Sequence, residues 1–125
     1  MLWETPEQVP AVIDPRNRHE FRLSMCAEPA GAKLYAQVVI EKPAGAVRLG
    51  VSFNGAWPTF ESRQTRQMLF SVGALTEFSD ALMAYTFPLD ASAIRDGFNT
   101  VTVLNNTKTP PTVVKVMSVE LAVKA

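Results

Sequence analysis

The chain has few of the side chains from which enzymes most often build active sites. Its 125 residues include one cysteine, Cys26, and one histidine, His19. A single cysteine excludes an intrachain disulfide, so the hydrophobic core alone has to hold the domain together. A single histidine excludes a metal site made of several histidines from one chain. Since Gly-rich phosphate loops and Asp-x-Asp-x-Asp-Gly calcium loops are also missing, the sequence predicts no cofactor and no catalytic residues.

An excess of charge of one sign is also absent. Lys and Arg together number 12, as do Asp and Glu, so the formal net charge is zero. A neutral chain has little long-range attraction to nucleic acid or to anionic lipid. No apolar run approaches the roughly 20 residues of a membrane-spanning helix, and the N-terminus lacks the basic and apolar regions of a secretory signal. We therefore expect neither nucleic acid nor a membrane as a partner, and the sequence leaves the compartment open.

The hydrophobic pattern is that of β-strands. Along residues 47–53, apolar and polar or small residues alternate, which is the period-2 pattern of a half-buried strand. The dipeptide Asn54-Gly55 follows, and it favours the positive φ angles of tight turns. About seven or eight such strands occur, with turn signals roughly every ten residues, and no amphipathic helix of normal length is found. The sequence predicts an all-β domain, a two-sheet antiparallel β-sandwich of the jelly-roll type.

The first part of the chain differs from the rest. Pro6, Pro10 and Pro15 recur at short intervals. Proline lacks a backbone N–H and disrupts both helices and central strands. We therefore expect a Pro-rich lead-in or interdomain linker over residues 1–19 and the β-sandwich domain over residues 20–125.

One later segment contains residues suited to shaping turns. Asp90 can cap a single helical turn, and Gly97 can end it. Gly97 also tolerates a positive φ angle, and the amide of Asn99 can hydrogen-bond to the preceding loop. We interpret these residues as structural rather than as ligand contacts.

Three segments resemble those of a known family. They are VRLGVSFNG at 47–55, IRDGFNTVTV at 94–103 and VVKVMSVEL at 113–121. Their order is similar to that in galactose-binding-like jelly-roll domains, which often accompany the catalytic domains of glycoside hydrolases and polysaccharide lyases. The resemblance covers residues 45–121. It implies a non-catalytic accessory module that binds carbohydrate, has the catalytic domain of a parent enzyme as its partner, and is secreted or periplasmic.

The candidate ligand-binding residues follow the Asn-Gly turn. Trp57 precedes a proline and is expected in a loop, where its ring could stack on the face of a sugar. Arg63, Gln64 and Arg66 lie in the polar stretch that follows and could donate hydrogen bonds to hydroxyls or to the carboxylate of an acidic sugar. The alternative interpretation is that Trp57 closes one end of the sandwich and that the arginines are simply solvated.

Two other functions stay open in the sequence. The domain could be a structural or protein-interaction module that supports a neighbouring catalytic domain or mediates oligomerisation. It could also be a small enzyme on a related barrel, for which Glu61 and Glu120 are a conceivable pair of carboxylates for glycoside hydrolysis.

Overall fold

The computed structural model describes residues 2–4, 8–25, 33–43, 45–65, 81–108 and 111–124. These residues form a short 3-10 turn at Ala91–Ala93 and nine strands. The strands are β1 (Leu2–Glu4), β2 (Ala11–Ile13), β3 (Arg18–Met25), β4 (Lys33–Glu41), β5 (Leu49–Phe53), β6 (Arg63–Thr65), β7 (Leu82–Leu89), β8 (Gly97–Asn105) and β9 (Val114–Lys124).

The strands form two antiparallel sheets. Six strands make the larger sheet in the order β1-β9-β4-β7-β6, with β2 also paired to β9. β1 and β2 pair with different parts of β9, so they share the same edge of that strand. The smaller sheet has the order β3-β8-β5. This arrangement confirms the predicted all-β, two-sheet antiparallel sandwich.

The hydrophobic core lies between the two sheets. In β5, Leu49, Val51 and Phe53 face this core, which confirms the alternation seen in the sequence. A single cluster of buried apolar side chains contains residues from strands of both sheets. The sheets therefore pack face to face, with the outward residues of each strand left for other contacts.

The centre of the six-stranded sheet is buried on both of its faces. Leu34 and Val38 of β4 face the core, whereas Gln37 and Val39 of the same strand face the opposite side, and all four are buried. Glu120 of β9, which is opposite Gln37 in the register, is also fully buried. The outer face of this sheet is thus covered around its central strands, and the open sheet face belongs to β3, β8 and β5.

The Pro-rich lead-in contributes to the sandwich. β2 pairs with β9, and Ala11 and Ile13 belong to the core cluster. The side chain of Gln8 donates to the carbonyl of Arg22 at 2.7 Å and accepts from its N–H at 2.8 Å. Because this pair of bonds resembles that of a neighbouring strand, Gln8 satisfies part of the free edge of β3.

The predicted helical turn is confirmed as a 3-10 turn. The carboxylate of Asp90 accepts a hydrogen bond from the N–H of Ser92 at 3.0 Å. Gly97 has the expected positive φ angle, 96°, but it does not end the turn, because the turn is capped by Ile94 and Gly97 begins β8. The stretch 56–67, which showed no clear periodicity, includes β6. The short apolar run at 68–72 predicts one more strand, which lies outside the described residues.

Candidate functional site

The outer face of the three-stranded sheet forms the floor of an open groove of about 650 Å³. The register of the strands aligns Glu20, Thr102 and Ser52 in one row across this face. Thr100 and Leu104 lie on either side of Thr102 along β8, and both line the groove. The floor therefore presents hydroxyl groups together with one carboxylate and one apolar side chain.

Two aromatic rings line the same groove. Trp57 is 95% exposed and Phe98 is 75% exposed. Exposed apolar area costs roughly 25 cal/mol per Å² relative to burial, so two large rings left in water on one surface are unfavourable for a free domain. Such neighbouring exposed rings are typical of surfaces that bind a ligand or a partner.

A tight turn positions Trp57. Asn54 and Gly55 have φ angles of 50° and 78°, so the positive φ angles predicted for this dipeptide are confirmed. The hydroxyl of Ser52 donates to the carbonyl of Ala56 at 2.6 Å. This bond ties the residue before Trp57 to the floor of the groove.

The segment after Trp57 folds back along β5. Thr59 exchanges two backbone hydrogen bonds of 2.9 Å with Val51. Phe60 then lies against Gly50, where an added Cβ atom would be 2.5 Å from the phenyl ring. The guanidinium of Arg48 lies 4.7 Å from the centroid of that ring, within the range of a cation–π contact. These contacts fix the groove wall that carries Trp57.

A hydrogen-bond network fixes the end of the groove at which β8 begins, beside the turn that precedes Trp57. The side-chain oxygen of Asn99 accepts from the N–H of Arg95 and from the amide of Asn54, both at 2.8 Å. Its NH₂ group donates to the carbonyls of Arg95 at 2.8 Å and Gly97 at 3.1 Å. Asn54 in turn accepts from the N–H of Thr100 at 2.8 Å. The predicted role of the Asn99 amide is confirmed, and the network joins the turn after β5 to the connection before β8.

The charged residues of the groove are Arg18, Glu20 and Arg95. Arg18 begins β3, and Arg95 lies in the connection before β8. Both arginines are exposed. Within the described part of the chain, neither guanidinium lies within 4 Å of a carboxylate; the ion pair found there joins Lys115 and Glu41 at 3.6 Å. The two arginines are thus available to an anionic ligand.

The structure describes some of the binding residues predicted from the sequence. Trp57 lines the groove, as does the adjacent turn. The backbone of Arg63 and Gln64 lies in β6, at an edge of the six-stranded sheet. Arg66 lies outside the described residues.

Sequence reasoning missed Arg18, Arg95 and Phe98 as groove residues. Arg18 is far from Arg95 and Phe98 in the chain, and only the pairing of β3 with β8 brings their segments together. One signal was present for Phe98, because alternation along β8 places it on the same face as Thr100 and Thr102. A large aromatic residue beside two threonines on an outward strand face indicates a candidate contact surface.

Comparisons with known proteins do not assign this groove. No protein-family model matches the chain, and no curated protein matches it significantly. The function therefore has to be argued from the geometry of the groove itself.

Other kinds of site would use residues of the described ranges that lie outside the groove. No three His, Cys, Asp or Glu side chains among these residues come close enough to hold a metal ion. Of the conceivable carboxylate pair, Glu120 is fully buried whereas Glu61 is exposed. The part of the chain that is described contains no helix with the length and hydropathy needed to cross a bilayer.

Proposed function

We propose that this protein is a non-catalytic, carbohydrate-binding accessory module of a carbohydrate-active enzyme, of the galactose-binding-like jelly-roll type. Its saccharide site is the groove on the outer face of β3, β8 and β5. The observation that carries the proposal is the nearly complete exposure of Trp57 beside a floor of hydroxyl side chains.

The chemistry of the groove suits a sugar. A pyranose ring presents an apolar C–H face and a polar edge of hydroxyls. The ring of Trp57 can cover the apolar face, while Ser52, Thr100 and Thr102 can exchange hydrogen bonds with the hydroxyls. A volume of about 650 Å³ falls within the roughly 300–1,000 Å³ of typical small-ligand sites.

The groove is also organised before a ligand arrives. Thr59 holds the wall that carries Trp57, and Asn99 holds the connection that carries Arg95, just before Phe98 in β8. Because these segments are already fixed by hydrogen bonds, little conformational entropy is lost when a sugar binds. This favours a binding role for the exposed rings.

A glycan array tests the proposal. The domain should bind a restricted set of glycans, and Trp57→Ala should abolish that binding without lowering the free energy of unfolding, because the ring makes few contacts in the free protein. Val12→Ala is the matched control, since Val12 is an exposed apolar residue, at 61%, on the other sheet. An array without signal, or binding that survives Trp57→Ala, would contradict the proposal.

A second candidate function is protein interaction. Trp57 and Phe98 are of the residue type that dominates protein interfaces when buried by a partner. The partner could be a neighbouring catalytic domain or a second copy of the chain. Light scattering after size exclusion tests the second case: a dimer that becomes a monomer in Trp57→Ala would favour this function over sugar binding.

A further inference from the structure

We infer that the groove binds an acidic oligosaccharide whose carboxylates lie on non-adjacent sugar residues, with Arg18 and Arg95 as the carboxylate-binding groups. The inference rests on the proposed function and names the ligand class of the same site.

The two arginines lie at opposite ends of the groove. Arg18 is opposite Leu104 in the register, near the end of β8, whereas Arg95 precedes the start of that strand. Phe98 and Leu104 are six residues apart, which corresponds to roughly 20 Å along an extended strand. Guanidinium groups attached this far apart suit two carboxylates that lie on different rings of an oligosaccharide. The single carboxylate of a monosaccharide could contact only one of them.

The middle of the groove carries a negative charge, whereas its two ends carry the positive charges of the arginines. Glu20 lies in the central row with Thr102 and Ser52, between the ends marked by Arg18 and Arg95. A carboxylate accepts hydrogen bonds from sugar hydroxyls but repels a second carboxylate. The charges along the groove therefore run positive, negative, positive, which matches a ligand with neutral sugars between two acidic ones.

The same pattern favours carboxylates over dense sulfate. The formal net charge of the chain is zero, and the groove itself has two arginines against one glutamate. A densely sulfated chain would place several negative charges next to Glu20. A planar carboxylate also matches the two parallel N–H groups of a guanidinium.

Calorimetric titration of the whole chain tests the inference. The ligands are an unsulfated oligosaccharide with one uronic acid at each end and neutral sugars between them, its carboxyl-reduced form, and a sulfated form. The unsulfated acidic form should bind about tenfold more tightly than the reduced form. Its affinity should also fall with added salt, whereas that of the reduced form should not.

Substitutions test which charged side chains of the groove contact the acidic ligand. Arg18→Gln and Arg95→Gln should each weaken binding of the acidic form about tenfold and leave the reduced form unchanged. Glu20→Gln should strengthen binding of the acidic form. Lys42→Gln is the matched control, because it removes one exposed positive charge that does not line the groove.

The outcomes separate this inference from the proposed function. Equal affinity for the acidic and reduced forms, tighter binding of the sulfated form, or no effect of either arginine substitution would overturn the inference while sugar binding stands. Absence of binding to every form, together with a silent glycan array, would overturn the proposed function itself.

Discussion

At the scale of single residues, Asn99 links the fold to the groove. Its side chain is fully buried, and its oxygen accepts two hydrogen bonds while its NH₂ group donates two. The amide thus uses its full donor capacity without water. Such a completely satisfied buried amide specifies one loop conformation, because any other arrangement would leave buried polar atoms unpaired.

Asn99→Asp tests this role. The substitution keeps the size of the side chain, removes both donors and directs a carboxylate at the carbonyls of Arg95 and Gly97. We expect the free energy of unfolding to fall by about 3 kcal/mol, measured by urea denaturation. Asn17→Asp, at an exposed position, is the control. Equal effects of the two changes would contradict the role assigned to Asn99.

Gly50 tests how the wall of the groove is built. In Gly50→Ala the new methyl group would meet the ring of Phe60. Such a clash typically costs about 1–3 kcal/mol, which exceeds the roughly 0.5–1 kcal/mol gained by removing a glycine from a strand. The single variant should therefore be less stable than wild type. In a Phe60→Ala background the same change should be neutral or stabilising, and a double-mutant cycle that shows no coupling would refute the contact.

Tyr85 makes alkaline stability a residue-scale test. Burial raises the pKa of its phenol above the ordinary value of 10.0. The folded state thus holds the phenol proton more tightly than the unfolded state does. The contribution of Tyr85 to the free energy of unfolding is therefore complete below about pH 10 and is lost as the pH rises through the higher pKa of the folded state. The denaturation midpoint is measured at pH 8 and at pH 11 in both proteins. Its fall between these two pH values should be smaller in Tyr85→Phe than in wild type. An identical fall in both proteins would be inconsistent with this assignment.

At the scale of strands and loops, periodicity explains which elements the sequence could predict. β5 and β8 are half-buried strands, so their alternation is clear in the sequence. β1, β2 and β6 have three residues each, too few for a periodic signal, and their pairing depends on strands distant in the chain. Local patterns therefore predicted the long strands, whereas tertiary pairing decided the short ones.

The lead-in can be tested with two adjacent residues of β2. Ile13 is 2% exposed and belongs to the core, whereas Val12 is 61% exposed. We expect Ile13→Ala to lower the free energy of unfolding by about 3 kcal/mol and Val12→Ala to change it by less than about 0.5 kcal/mol. Chemical denaturation measures both. Two equally small effects would mean that this segment does not pack on the domain as a strand.

At the scale of the whole molecule, the groove depends on tertiary structure more than on local sequence. Trp57 could be proposed from sequence because a turn and a proline flank it. Arg18 and Arg95 could not, because they enter the groove through the pairing of β3 with β8. Arg63 and Gln64 are close to Trp57 in the chain, yet their strand pairs with β7 in the other sheet. Residues that are close along the chain of a two-sheet fold can thus belong to segments that pair with different sheets.

The most direct test of the account is the fluorescence of Trp57 in a Trp3→Phe variant, in which it is the single tryptophan. The free protein should show the long-wavelength emission of a water-exposed indole, because Trp57 is 95% exposed. Titration with an array-positive glycan should shift this emission to shorter wavelength and saturate at the affinity found by calorimetry. Emission that stays unchanged while the glycan binds would show that the sugar site lies elsewhere.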